Sequence, residues 1–159
     1  MELALPDAKN GTQMLMNVDG DPMLISRAFV QFDVSSIPKG ATVGHATLKL
    51  CLVANLAPGR IHELRLVTSA WTETGVTWNN QPTVSATVTD SITVPSTSQC
   101  VSFTVTADVQ AWVDGAPNYG WRLADQDELT LGIYLTAYGA REYGAPGQRP
   151  NLNVPYSSP

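Results

Sequence analysis

Trp71–Pro82 reads WTETGVTWNNQP, and no other stretch of this chain decides as much about its fold. Two tryptophans stand seven positions apart around an acid and a Gly-Val-Thr step, and the Asn-Asn-Gln-Pro run behind them cannot continue a regular element. The stretch therefore predicts an irregular crossing loop with large aromatic anchors. A second signature follows downstream, Val105–Gly115 (VTADVQAWVDG). Here Thr106 is expected to cap one short helix near residues 106–114, with Val109, Trp112 and Val113 on one face and Gly115 ending it. So short a helix is marginal alone in water, so Trp112 must lie on a sheet edge or across the mouth of the sandwich.

Outward from these two blocks the dominant pattern is alternation with period two. In Arg27–Val34, Ala28, Val30, Phe32 and Val34 form one face, and Phe29 is the one apolar residue on the other. Gly44–Val53, His62–Val67 and Cys100–Val105 alternate in the same way, as do Leu131, Ile133 and Leu135. Leu152, Val154 and Tyr156 form a last strand, placed at an edge or terminus by Pro155. Shorter candidates at Gln13–Asn17, Ser91–Val94 and Gly120–Leu123 bring the expected count to about nine or ten. One buried and one wet face per strand predicts an all-β fold of antiparallel sheets stacked as a sandwich.

A chain of 159 residues with no repeat or linker reads as a single domain, 1–159. Charged residues are 14% of the chain and the net charge is −5. Nucleic acid is thereby excluded as a partner, since backbone phosphates demand a basic face. No apolar run is long enough to span a bilayer. The opening MELALPDAKN has neither the basic start nor the apolar core of a signal peptide, so the expectation is a mature product or an excised segment, placed outside the cell or at its surface. Two alternatives stay open for Cys51 and Cys100: a bridge between neighbouring strands, or two free thiols, which the sequence alone slightly favours.

Several blocks also resemble a known family. They are Arg27 with Phe32–Pro38 ("R…FD-SSIP"), Ala46–Leu50 ("ATLxL"), Trp71–Pro82 ("WxExxVTWNNQP"), Val105–Gly115 ("VTxxVQAWxDG") and Arg149–Tyr156 ("RPxLxVxY"). Their order and spacing, over about residues 12 to 156, resemble the DNRLRE-domain family of secreted proteins. The resemblance implies a jelly-roll-like β-sandwich, an accessory module, and in some relatives carbohydrate binding, with alginate among the ligands. The chain departs from the family in a shorter opening and in holding only Lys9, Lys39 and Lys49, which argues against a lysine-lined groove for a uronate polymer.

Trp71, Trp78 and Trp112 are expected to be structural, each with its N–H bonded to a loop carbonyl, and Glu73, Asn79 and Asn80 to be the polar partners that hold the loop. The better ligand candidates lie in the long loop Thr136–Arg149, where Tyr138 and Tyr143 flank Arg141 and could stack on a sugar beside a guanidinium fork; the competing reading is an internal Arg141–Glu142 ion pair that anchors the loop. Calcium is the one cofactor considered, at two oxygen-rich turns: Asp19 with Asp21, and Asp125 with Asp127 and Glu128. Solvated turn acids are the competing reading. His45 and His62 lie near no nucleophile at a catalytic spacing, so no enzyme is expected.

The function expected is therefore a non-catalytic extracellular module for a polysaccharide or cell-surface glycan. The alternative is a self-associating fibre or sheath subunit in which Glu2–Pro6 is donated to a neighbour rather than folded back as a strand of its own sheet.

Overall fold

The computed structural model describes residues 1–159. Its elements in order are β1 (Leu15–Val18), β2 (Ala28–Val30), β3 (Thr42–Val43), β4 (Thr47–Asn55), β5 (Ile61–Leu66), β6 (Asp90–Thr93), β7 (Cys100–Thr104), α1 (Thr106–Val113), β8 (Trp121–Asp125), β9 (Thr136–Gly139), β10 (Asn151–Asn153) and β11 (Tyr156–Ser157). One 3-10 turn, Pro146–Gln148, lies between β9 and β10.

Every pairing is antiparallel, as the alternation requires. One sheet runs β1-β9-β4-β10, with β7 on the opposite edge of β4. The other runs β2-β8-β5-β6, and β3 pairs with β11 as a small ribbon. The sheets approach each other along both sides. Asp19 bridges Ser26 between β1 and β2, and the Thr104 N–H of β7 donates to the Asp90 carboxylate of β6 at 2.6 Å. The result is an all-β sandwich of curled sheets.

The inward residues fill one core. Leu48, Leu50 and Leu52 from β4 and Phe103 from β7 meet Ala28, Val30, Leu64, Trp121 and Leu123 from the other sheet. Helix α1 closes one part of it with Val109, Trp112 and Val113, and the Trp112 and Trp121 rings sit 4.6 Å apart. Asp108 in the first turn of α1 accepts from the Trp121 indole at 2.7 Å and the Thr89 hydroxyl at 2.6 Å, so helix and sheet share a polar anchor. Gly115 ends the helix at φ +112°, a conformation that a side chain disfavours.

Four expectations need correction. The N-cap is Val105 and makes no side-chain bond; the Thr106 hydroxyl instead accepts from the Ala46 N–H at 3.0 Å, tying α1 to β4. The strand expected over Arg27–Val34 is only Ala28–Val30, because the Asp33 carboxylate captures the Ser35 N–H and turns the chain. Leu131 and Ile133 are 68% and 75% exposed and lie in no strand. Carboxylates there take backbone donors that a ladder would use: Asp127 from the Leu129 N–H and Asp21 from the Gly132 N–H. Glu2–Pro6 returns on its own chain as a turn rather than a strand, with Glu2 bridging Ser26 and the Pro6 carbonyl accepting from Asn79.

The cysteines are resolved in favour of the bridge, which corrects the free-thiol preference. Cys51 and Cys100 stand opposite each other in the β4–β7 register and are joined, with Cα atoms 3.8 Å apart. Neither belongs to the main core. Cys51 lies beneath the 3-10 turn, its sulfur 3.7 Å from the Gly147 carbonyl, and Cys100 is exposed. No helix is long and apolar enough to cross a membrane.

Candidate functional site

Alternation along β2 sends Ala28 and Val30 into the core and leaves Arg27 and Phe29 on the outer face of its sheet. The tryptophan loop lies against that face. Trp71 packs its ring 5.5 Å from that of Phe29 and donates its indole N–H to the Tyr119 carbonyl at 2.7 Å. The Arg27 guanidinium sits 4.6 Å over the Trp78 ring, reaches Gln81 Oε1 at 2.7 Å and pairs with Glu128 at 2.8 Å. Amides hold the loop in shape. Asn80 accepts from the Thr77 N–H at 2.6 Å and donates to the Gly75 carbonyl at 2.9 Å, while Asn79 donates to Asp7 at 2.9 Å. Trp71 has the expected carbonyl partner and Asn79 and Asn80 hold the loop, whereas Trp78 meets Arg27 with its ring and donates its indole N–H to no carbonyl.

Trp112 departs from expectation in one respect. It is buried as foreseen, but its indole N–H has no partner.

Between β1, β2 and the tryptophan loop lies a groove of about 810 Å³, within the range of about 300–1,000 Å³ usual for ligand sites. Phe29 and Trp71 supply aromatic surface, and Gln13, Asn17, Gln31 and Asn118 supply amides. Of these, Gln13 donates to Asn10 and Gln31 to the Asn118 carbonyl, which leaves both glutamine side-chain oxygens open to a hydroxyl. The charged lining comprises Glu2, Asp33, Glu73 and Glu142 against Arg27, Arg141 and Arg149.

Arg141 lies at the groove with its side chain 72% exposed, paired with Glu73 and Glu142 at 2.9 Å each. Those two carboxylates raise its pKa above the usual guanidinium value, Glu142 first. The Glu73 carboxylate thus pairs with Arg141 and makes no hydrogen bond within its own loop, unlike its expected role there. Arg149 donates to the Tyr143 carbonyl at 2.7 Å.

Tyr138 is a correction. It belongs to β9, is 0% exposed, and points inward, where its hydroxyl meets His62 Nδ1 at 2.8 Å across the two sheets. It cannot stack on a ligand, and burial holds its pKa well above the ordinary phenol range. Tyr143 is half-buried near Gly139 and does not line the groove; of the three ligand candidates only Arg141 does.

The two acidic turns do come together, but around a guanidinium. Arg60 takes both Asp125 oxygens, at 2.8 and 2.7 Å, and also donates to the Asp127 carbonyl. Asp19 accepts from the Asp21 N–H at 2.9 Å, Asp21 from Met23 at 2.8 Å and Gly132 at 3.1 Å, and Glu128 is committed to Arg27. No group of three or more acid, histidine or cysteine side chains is placed to hold a metal, and six to eight free oxygens do not converge. In this geometry the acids are spent on protein donors rather than gathered for a cation. Nor are these simply solvated acids, since Asp19, Asp21 and Asp125 are buried. Hydrogen bonds from Met23 and Gly132 hold the Asp21 pKa below the usual range, those from Thr130 and Leu129 do so for Asp127, and burial pushes Asp19 up. At Gly20 a Cβ would fall 2.6 Å from the Arg60 guanidinium, so the turn can approach Arg60 only as glycine.

Sequence reasoning missed Arg60, Asp108 and the groove role of Phe29. Phe29 was visible as a lone apolar residue on an otherwise polar face. Nothing local marked Arg60, whose partner is 65 positions away.

The chain belongs to carbohydrate-binding module family 96, whose sequence profile matches residues 3–155. No curated protein matches it.

Proposed function

We propose that this carbohydrate-binding module holds its ligand in the groove between β1, β2 and the tryptophan loop, as a non-catalytic accessory domain acting outside the cell. The observation that carries the reading is the Phe29–Trp71 pair beside the exposed Arg141 fork in a groove of about 810 Å³. Sugar rings present apolar C–H faces and hydroxyl edges, which aromatic surface and unspent amide oxygens complement. The motif order that resembles the DNRLRE-domain family agrees with an accessory role. The non-catalytic reading draws support from His62, which is fully buried against Tyr138, and from Glu73 and Glu142, which are both engaged with Arg141.

Affinity gel electrophoresis against a panel of soluble polysaccharides tests this. Phe29→Ala should weaken binding by about two- to twelvefold, from the roughly 0.5–1.5 kcal/mol of an aromatic contact, and Arg141→Ala should weaken it as well. Retained binding in both variants would place the site elsewhere. If the unmutated protein is slowed by no polymer, the functional reading itself fails.

A further inference from the structure

We propose that Arg122, with a guanidinium on either side of it, forms a site for a sulfate or phosphate group on the outer face of the β2-β8-β5-β6 sheet. Alternation along β8 buries Trp121 and Leu123 and turns Arg122 outward, where it stands opposite Phe29 of β2 and Arg65 of β5. Four charged side chains lie close enough to act on it: Arg27 and Arg65, with Glu128 and Glu63. Both carboxylates are spent, Glu128 on Arg27 and Glu63 on Arg65, each at 2.8 Å. Arg27 also reaches Gln81, and Arg65 the Ser85 and Ala86 carbonyls, so both outer guanidiniums are held in place.

Three guanidiniums thus share two carboxylates, and the one left over is the middle one. Arg122 finds no acceptor on the protein; it is half-buried, and its Nε is closed to solvent with no partner. A charge so placed is costly while unpaired, and a guanidinium cannot shed its proton to escape the cost. Water can satisfy the donors but leaves the charge uncompensated, whereas an anion answers both. The free fork matches the oxygens of a sulfate or phosphate, and the flanking cations favour a group that spreads negative charge over several oxygens. The same chemistry serves a free ion or a sulfate ester carried on a sugar. Arg122 does not line the carbohydrate groove, so loss of this site would leave the groove reading standing.

Thermal melts of the whole chain in sodium sulfate and sodium phosphate, against sodium chloride at matched ionic strength, supply the test. A hundredfold excess over the dissociation constant should raise the midpoint by about 5–10 °C. Arg122→Gln should abolish that rise, and Arg122→Lys, which keeps the charge without the fork, should keep only part of it. Both salts also stabilise proteins generally by exclusion from their surface, so an equal rise in folded Arg122→Gln protein would overturn the proposal. So would the absence of any rise beyond chloride in the unmutated protein. Should Arg122→Gln fail to fold, NMR of the unmutated protein decides: the Arg122 Nε–H resonance should shift and saturate as sulfate is added, and an unmoved resonance would overturn the site. A monosaccharide sulfate in place of the inorganic salt identifies the source. Tighter binding of the ester assigns the site to a sulfated sugar, tighter binding of the free salt assigns it to a resident ion, and either result supports it.

Discussion

Arg60 and Asp125 form a two-pronged ion pair at 2.8 and 2.7 Å, with the Asp125 side chain 1% exposed and that of Arg60 17% exposed. The Arg60 guanidinium also lies 4.1 Å from the centre of the Tyr134 ring. One guanidinium thereby joins the start of β5 to the end of β8 and to the loop beyond it. It occupies the position between acidic turns where a divalent cation would otherwise be sought.

Breaking such a pair from one side strands a charge. Arg60→Ala should destabilise the fold by about 3–5 kcal/mol, the usual cost of leaving a buried partner uncompensated. Equilibrium urea denaturation measures it. In the same format, millimolar calcium should not move the unfolding midpoint of the unmutated protein. A rise with calcium would return these acids to the role of metal ligands.

His62 gives the module an acid limit. Burial lowers its pKa to about 4 from the ordinary 6.5, so between those values the unfolded chain binds a proton that the folded chain refuses. Stability is therefore full above about pH 6.5 and declines as pH falls toward 4, by roughly 3 kcal/mol in all. Asp19, held above the carboxylate range, opposes part of that loss. Thermal melts from pH 7.5 to 4.5 should show the decline, and a melting temperature that does not fall would contradict the burial of an unprotonated imidazole.

The disulfide closes a separation of 49 residues. Loop-entropy arguments give about 4 kcal/mol for a closure of this length. Thiol reagents should find no reactive sulfur in native protein, nor in unfolded protein until a reductant is added. Reduction should lower the urea midpoint accordingly. Two fast-reacting thiols in native protein would rule the bridge out.

Trp112 is the large apolar body by which α1 is held to the sandwich, 4.6 Å from Trp121 in the core. Trp112→Ala should cost about 3–5 kcal/mol. Its unpartnered N–H makes Trp112→Phe the informative companion. That change removes an unsatisfied donor along with some volume, so it should cost clearly less than the alanine. Equal losses would mean the indole N–H has a partner in solution.

The longer strands and the helix position were legible because they rest on local signals. Leu48, Leu50 and Leu52 announce one face of β4, and Val109, Trp112 and Gly115 announce a helix and its end. The early end of β2 is a local failure, set by Asp33 two positions from Ser35, but others come from side chains that act over long separations. Leu131 and Ile133 alternate like a strand, yet the Asp21 carboxylate, 111 positions upstream, takes the Gly132 N–H that a ladder would have used. Tyr138 read as part of a glycine-containing ligand loop, Thr136–Arg149, while its hydroxyl in fact meets His62 on the facing sheet. At the groove, Arg141 stood out by chemistry alone. Phe29 and Trp71 became site residues only when a loop more than forty residues downstream folded over β2.

The central claim is that carbohydrate occupies the groove at Phe29, Trp71 and Arg141. Amide and indole NMR shift mapping, with an oligosaccharide cut from whichever polymer the protein binds, tests it directly. The account predicts that the largest shifts fall on the Trp71 indole N–H and on the amides of Phe29, Gln31 and Arg141, with Leu129–Ile133 unmoved. Shifts centred on Leu129–Ile133, or on Tyr143 without Phe29 and Trp71, would contradict it.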